Sequence, residues 1–263
     1  MIQEDLMTSS KAVLIEKKDA ICTLVLNRPD VMNAMNETLI LELKSAVDQI
    51  ADEGDINVVV IKGAGKNFSS GADMSLLANV ASSQQWLDGM RYLSQIITRL
   101  REMTPPVVIA LRGVAYGAGA NLALAGDFVI AADDAKFCEI FVHIGAVLDA
   151  GGTYFLPRLV GLAKARELAM LGNEIDGKTA AAIGLIYKSV PDETLEDEVA
   201  ALAGNLAAKP LAAMGIIKAG LNESFEKPLK AALDWEAAHQ AIRIQTQELK
   251  DIVALFLKSR GKD

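Results

Sequence analysis

Five short runs of β-branched and other apolar residues set the limits on how this chain can fold: AVLIE at 12–16, ICTLVL at 21–26, NVVVIK at 57–62, VVIAL at 107–111 and FVIAA at 128–132. Each has the length and composition of a strand, and helical patterns separate several of them. Asn36 can cap a helix in which Leu39, Ile40, Leu43, Val47 and Ile50 recur at helical spacing, ending near Gly54. A second helical pattern runs from about Gln84 to Met103 and is stopped by Pro105 and Pro106, directly before the next strand. Aromatic residues make up only 5% of the chain, while Ala, Leu, Ile and Val abound, which favours helices on a mostly parallel sheet over a β-sandwich. Recurring β-β-α or β-α units therefore predict an α/β core.

Beyond about residue 190 the strand signals stop. Residues 200–208, 211–222 and 229–258 read as helix, with Pro228 placed to start the last of them. The chain thus divides into an α/β core over 1–195 and a helical region over 196–263. A helical tail so rich in Ala, Leu and Ile must pack on its own core or on another subunit, and a homo-oligomer is expected.

The charge balance, 26 basic against 34 acidic residues with no long basic run, argues against a nucleic-acid groove or an anionic membrane surface. Cys22 and Cys138 form no CxxC pair, and no metal-ligand spacing is present, so neither a disulfide framework nor a metal is expected. The first residues, MIQEDLMTSSKA, lack the basic start and apolar core of a signal peptide, and no apolar run approaches membrane-spanning length. An unprocessed cytoplasmic protein is the expectation.

Two glycine-rich segments follow strands: Asn67-Phe68-Ser69-Ser70-Gly71-Ala72-Asp73-Met74 and Gly113 through Asn121. Small residues there let backbone N–H groups approach a ligand oxygen, and two converging N–H groups make an oxyanion hole. The second segment is not a dinucleotide fingerprint, because Gly113, Gly117 and Gly119 have the wrong spacing and Asp127 lies at the wrong distance for a ribose ligand. A third segment places Asp149 between an apolar run and the Gly151-Gly152 pair that opens a helix. Its carboxyl could be partly desolvated and exchange a proton near neutral pH, but Asp before Gly-Gly is also ordinary turn and cap chemistry. The run alone leaves both readings open.

Together these segments resemble the crotonase, or enoyl-CoA hydratase/isomerase, superfamily. The resemblance rests on Leu26-Asn27-Arg28-Pro29 with Asn33-Ala34-Met35, on Phe68 through Met74, on Gly113 through Asp127, and on Gly151-Gly152-Thr153 with Leu156-Pro157-Arg158-Leu159-Val160-Gly161. Ala254 through Arg260 fits as well. It implies a spiral β-β-α core with a C-terminal helical trimerisation region, assembled as a trimer or a dimer of trimers. It also implies an acyl-CoA thioester substrate with no separate cofactor, coenzyme A being part of the substrate.

The resemblance assigns the thioester oxygen to the backbone N–H groups of Ala72 and Ala118. It places coenzyme A along Arg28, Val31 and Met32, beside Ser70, Asp73 and Gly117, and against Phe256 and Lys258 of the last helix, whether of the same or of a neighbouring subunit. Lys66 is a candidate phosphate contact or a merely solvated lysine. Met74, Leu77, Trp86, Met90 and Phe141 form an expected apolar lining for a medium-sized acyl group.

Family hydratases use two glutamates, and the matching positions here are Asn121 and Phe141, which cannot accept a proton. Glu139, two residues before Phe141, could substitute from the same strand face, though a solvated side chain is the simpler expectation. Asp149 matches the aspartate of a subset that includes phenylacetate-pathway ring-epoxide isomerases and some enoyl-CoA Δ-isomerases, although Leu148 stands where that subset carries proline. One carboxylate suffices for a 1,3 proton shift, with Asn121 holding a loop backbone. A nucleophilic aspartate helped by histidine is disfavoured, since neither His143 nor His239 falls in the segment directly after the first glycine loop, where that histidine would be expected. The expected activity is enoyl-CoA isomerisation, with enoyl-CoA hydration second and a non-catalytic acyl-CoA-binding oligomer third.

Overall fold

The computed structural model describes residues 11–79 and 81–260, with the side chain of Leu77 outside the description. The chain opens with a hairpin of β1 (Val13–Lys18) and β2 (Ile21–Leu26), crosses through α1 (Glu37–Asp52) and returns as β3 (Val58–Gly63). It continues through α2 (Met74–Asn79) and α3 (Ser83–Glu102) to β4 (Val107–Leu111) and β5 (Val114–Tyr116). Then come α4 (Ala118–Leu124), β6 (Phe128–Ala132), β7 (Lys136–Cys138) and α5 (Gly152–Leu171). The core closes with β8 (Ile175–Asp176), α6 (Gly177–Ala182) and β9 (Lys188–Val190). Four helices follow: α7 (Leu195–Ala207), α8 (Leu211–Asn222), α9 (Leu229–Arg243) and α10 (Gln247–Ser259).

The six-stranded sheet has the order β1-β2-β3-β4-β6-β9, and only the β1–β2 pair is antiparallel. A three-stranded sheet, β5-β7-β8, stands beside it. The predicted runs form five of these strands. β3 and β4 carry Val58, Val59, Ile61, Val107, Val108 and Ile109 with no exposure, so both faces are covered, and α7 packs against each strand. The Asn36 side chain accepts from Leu39 N at 2.9 Å, and the five apolar residues assigned to α1 are all buried, as the helical spacing requires.

Two differences from the sequence expectation have local causes. β5, β7, β8 and β9 have only two or three residues each, too few for an alternation to register. The helix expected over 229–258 is two helices, because Thr246 takes an extended conformation and its hydroxyl caps α10 by accepting from Leu249 N. α5 is broken at Gly161, whose φ of 73° and ψ of 163° are not helical.

The helical region docks through a buried cation. Lys218 of α8, 9% exposed, reaches Asp127 at 2.7 Å and donates to the carbonyls of Leu100 and Pro105 at 2.8 and 3.2 Å. Asp127 in turn accepts from Val107 N at 2.8 Å. Both charges are thus satisfied, the condition for keeping them under cover. α9 and α10 bury no residue within the chain, and Leu233, Ile242, Ile252, Leu255 and Phe256 of these helices are exposed.

Candidate active site

Three loops meet at the ends of the central strands, and a few buried polar side chains lace them together. Asn33 is fully buried; its Nδ2 donates to the carbonyls of Ala64 (3.0 Å) and Asn67 (2.7 Å), while its Oδ1 accepts from Arg28 N (2.8 Å). Ser69, also fully buried, donates from Oγ to Asn33 O at 2.9 Å and accepts from Gly71 N at 3.2 Å. Arg28 spans the same junction, donating from Nη1 to Ala34 O at 2.6 Å and to Asp73 Oδ2 at 2.9 Å. Hydrogen bonds from Ser75 and then from Arg28 hold the Asp73 carboxyl below its ordinary range.

These ties decide which backbone groups stay free. Met35 pairs with the glycine loop through Met35 N to Gly71 O (2.7 Å) and Asp73 N to Met35 O (3.1 Å), so the Ala72 N–H lies outside the pairing. Ala118 is the first residue of α4, where an N–H has no partner within the helix. Gly71 brings the two together: with φ of 87° and a missing Cβ that would stand 2.5 Å from Tyr116 O, only glycine lets this loop lie against the 116–118 backbone.

Ala72, Ala118 and Asp149 line one cavity of about 470 Å³. Its walls are mostly apolar, formed by Met35 and Ile40 on one side and by Trp86, Met90 and Leu93 of α3 on the other. Glu37, Gln84, Gln85 and Asp88 supply polar groups to the lining. Trp86 and Met90 are thus where the helical spacing of α3 turns them toward the loops.

Asp149 sits in a tight turn. Ala150 and Gly151 both have positive φ, 47° and 90°, and bring Gly152 N back to Asp149 O at 2.9 Å. The same carbonyl accepts from Asn121 Nδ2 at 3.0 Å, so Asn121 holds the loop backbone. The Asp149 side chain is half-buried, its Oδ1 has no partner among the described residues, and burial pushes its pKa up to about 6. Such a group passes between base and acid near neutral pH.

Glu139 overturns the expectation of a solvated side chain. It lies past the end of β7, 1% exposed, where Asn121 Nδ2 donates to its Oε2 at 3.3 Å. Burial, with a smaller push from the Asp149 charge, raises its pKa to about 8. Its sequence neighbours Phe137, Cys138 and Phe141 are all buried, a local signal that residue-by-residue polarity overlooks. Asn33 and Ser69 were likewise visible only as parts of a motif.

The close fit around Asn121 yields a prediction. A Cβ on Gly152 would stand 2.7 Å from Asn121 Nδ2 and 2.9 Å from its Oδ1. Gly152→Ala is therefore expected to displace the amide and the turn it holds, lowering turnover by about 10²-fold, as a displacement near 1 Å can. Comparing steady-state rates at unchanged secondary structure by circular dichroism checks this.

The other sequence-assigned residues scatter more widely. Val31 and Met32 are exposed on a 3-10 turn, Ser70 donates from its backbone N to Met32 O at 2.9 Å, and Met74 is exposed at the start of α2. Gly117 caps α4, and Phe141 is buried against it, outside the residues that line the cavity. Phe256 and Lys258 are exposed on α10, which lends nothing to that lining, and Lys66 is exposed in its loop. The assignment to Leu77 concerns a side chain outside the described residues. Among the described residues, no group of three His, Cys, Asp or Glu could hold a metal ion.

A mostly parallel sheet, a small second sheet and a helical C-terminal region, with glycine loops gathered over one cavity, define the crotonase fold. The chain belongs to the enoyl-CoA hydratase/isomerase family, whose model matches residues 16–262. It is 36% identical over 253 residues to the 1,2-epoxyphenylacetyl-CoA isomerase of Escherichia coli K12, covering 95% of this chain and 96% of that one. It is also 36% identical over 250 residues to the crotonyl-CoA hydratase of Syntrophomonas wolfei, covering 94% and 95% of the two chains. The crystal structure of an enoyl-CoA hydratase from Bacillus anthracis superposes with a TM-score of 0.90 at 28% identity, over 94% of this chain and 96% of that one. Relatives at equal identity thus carry both isomerase and hydratase names.

Proposed function

We propose that this protein is an enoyl-CoA isomerase in which Asp149 carries a 1,3 proton shift. The observation that carries this reading is the sharing of one apolar cavity by a half-buried carboxyl of raised pKa and the backbone of Ala72 and Ala118. With a 3-enoyl thioester in the cavity, the Asp149 carboxylate takes a proton from C2. The electron pair moves into the thioester, and the resulting dienolate oxygen is stabilised by the Ala72 and Ala118 N–H groups. The proton returns from Asp149 to C4, leaving a 2-enoyl product and the carboxylate restored. No water need be activated, in keeping with Asn121 and Phe141 at the two glutamate positions.

The apolar walls suit a medium-sized acyl chain without a charged end. Coenzyme A would run along the 28–32 loop. A second copy of the chain would cover α9 and α10, whose large apolar side chains stand exposed among the described residues of one subunit, and would bring Phe256 and Lys258 to the coenzyme.

The test is incubation with 3-enoyl-CoA and with 2-enoyl-CoA in D₂O. Double-bond migration with deuterium at C2 or C4 supports the isomerase; net formation of 3-hydroxyacyl-CoA would replace it by the hydratase, and binding without turnover by the non-catalytic oligomer. The pH profile gives an independent check. Asp149 must begin ionised to act as base, so the rate of the 3-enoyl to 2-enoyl reaction is expected to rise with pH and reach half its plateau near pH 6.

A further inference from the structure

We propose that Glu139 works as a neutral carboxylic acid paired head-to-head with the side-chain amide of Asn121, and that this pair positions the Asp149 turn. The inference rests on the reading of Asp149 as the acid/base and adds to it a positioning residue behind the loop. Among the described residues, three buried oxygens in this region have no partner: Asn121 Oδ1, Glu139 Oε1 and Asp149 Oδ1. Two of them belong to a pair that already shares one bond, Asn121 Nδ2 to Glu139 Oε2 at 3.3 Å.

The orientation of the amide is fixed by its other bond. Nδ2 lies 3.0 Å from the Asp149 carbonyl, and exchanging Nδ2 with Oδ1 would set two acceptors against each other. With Glu139 ionised, Oδ1 and Oε1 are both acceptors and neither can satisfy the other. One proton on Oε1 makes it a donor, so Glu139 gives to Oδ1 while Nδ2 gives to Oε2, and an acid–amide ring closes. Buried polar atoms left unpaired are costly, and this proton removes two of them at once.

Among the described residues, no cation stands beside Glu139 to hold the ionised form. Asn121 faces Glu139 from α4, and Asp149 faces it from the turn as a like charge. Cys138, its neighbour on β7, donates its thiol to Gly172 O at 3.1 Å, and His143 bonds the same carbonyl through Nε2 at 2.9 Å. Glu174 lies farther out, held by Tyr116 and by Lys136 at 3.3 Å. Among the described residues, Glu139 has no ion pair. The carboxyl stays protonated up to about pH 8.

The experiment compares the wild type with Glu139→Gln and Glu139→Leu by infrared spectroscopy and by exchange kinetics. At pH 7 the wild-type minus Glu139→Gln difference spectrum should show the C=O stretch of a protonated acid, fading as the pH passes about 8. Over the same range the wild-type kcat should fall, whereas Glu139→Gln, which can form the equivalent amide–amide pair, should lack that fall. At pH 7 Glu139→Leu should lower kcat by about ten- to a hundredfold with little change in KM, and Glu139→Gln should recover most of it. Absence of the acid band, or an equal loss in both variants, would overturn the proposal. The infrared measurement needs no turnover, so a wild type that shows no exchange would refute the Asp149 reading while the band still decides the state of Glu139.

Discussion

Asp149→Asn should slow double-bond migration and C2 deuterium exchange by about 10²–10⁴, the range for losing a positioned general base. The substitution suits the question because it removes the base and little else. Among the described residues the Asp149 Oδ1 has no partner to lose, and the bonds that shape the turn go to its backbone carbonyl, which asparagine retains. Affinity for the CoA thioester should therefore change little while kcat collapses. A variant that still exchanges deuterium at the wild-type rate would remove Asp149 from the mechanism.

The same substitution should stabilise the fold, and the direction follows from linkage. Folding raises the pKa of Asp149 from 3.8 to about 6, so the folded chain holds a proton that the unfolded chain has released. Its favourable contribution is present below the unfolded value and is lost as the pH rises through about 6. At pH 7–8 the ionised carboxyl is held at a cost on the order of 2–3 kcal/mol, which Asn does not bear. Thermal unfolding at pH 8 against pH 4 should show the variant's advantage growing with pH. A site that trades stability for proton transfer is expected to behave this way.

Ala118→Pro is the second large effect, an expected loss of about 10²–10³ in kcat. A backbone donor cannot be deleted by changing a side chain, but proline deletes it, and Ala118 is a position where that is tolerable. It opens α4, where a missing N–H costs no helical bond and proline's φ is already suited. The preceding residue is Gly117, at φ 51° and ψ −121°, with no Cβ to meet the proline ring. Ground-state binding should weaken much less than turnover, because the oxygen carries its full negative charge only after the proton has left. Equal losses in kcat and in affinity would show that the ring obstructs the cavity rather than that a donor is missing.

What could be read before folding was governed by short-range rules. The apolar runs at 57–62 and 107–111 name strands covered on both faces, and Asn36 with the 3.6-residue repeat after it names α1; each signal is a property of a few adjacent residues. The glycine segments at 67–74 and 113–121 and the Asp149-Gly pair likewise marked where the chain would turn. The short strands β5 and β7 were hidden because they are completed by partners, not by their own pattern.

The state of each carboxyl was decided by the tertiary structure. Asp149 and Glu139 are acidic letters in the same stretch, each flanked by apolar residues, and that flanking does not tell how dry either carboxyl becomes. Desolvation depends on what other elements lay over a group, here Asn121 from α4, 18 residues before Glu139 and 28 before Asp149. By itself, then, the sequence determined the five longer strands, the main helices and the family, because periodicity, capping and turn chemistry act between neighbours. Only the packed chain decided that Glu139 is buried and that Asp149 shares a cavity with Ala72 and Ala118, because solvation and proximity are properties of segments distant in sequence.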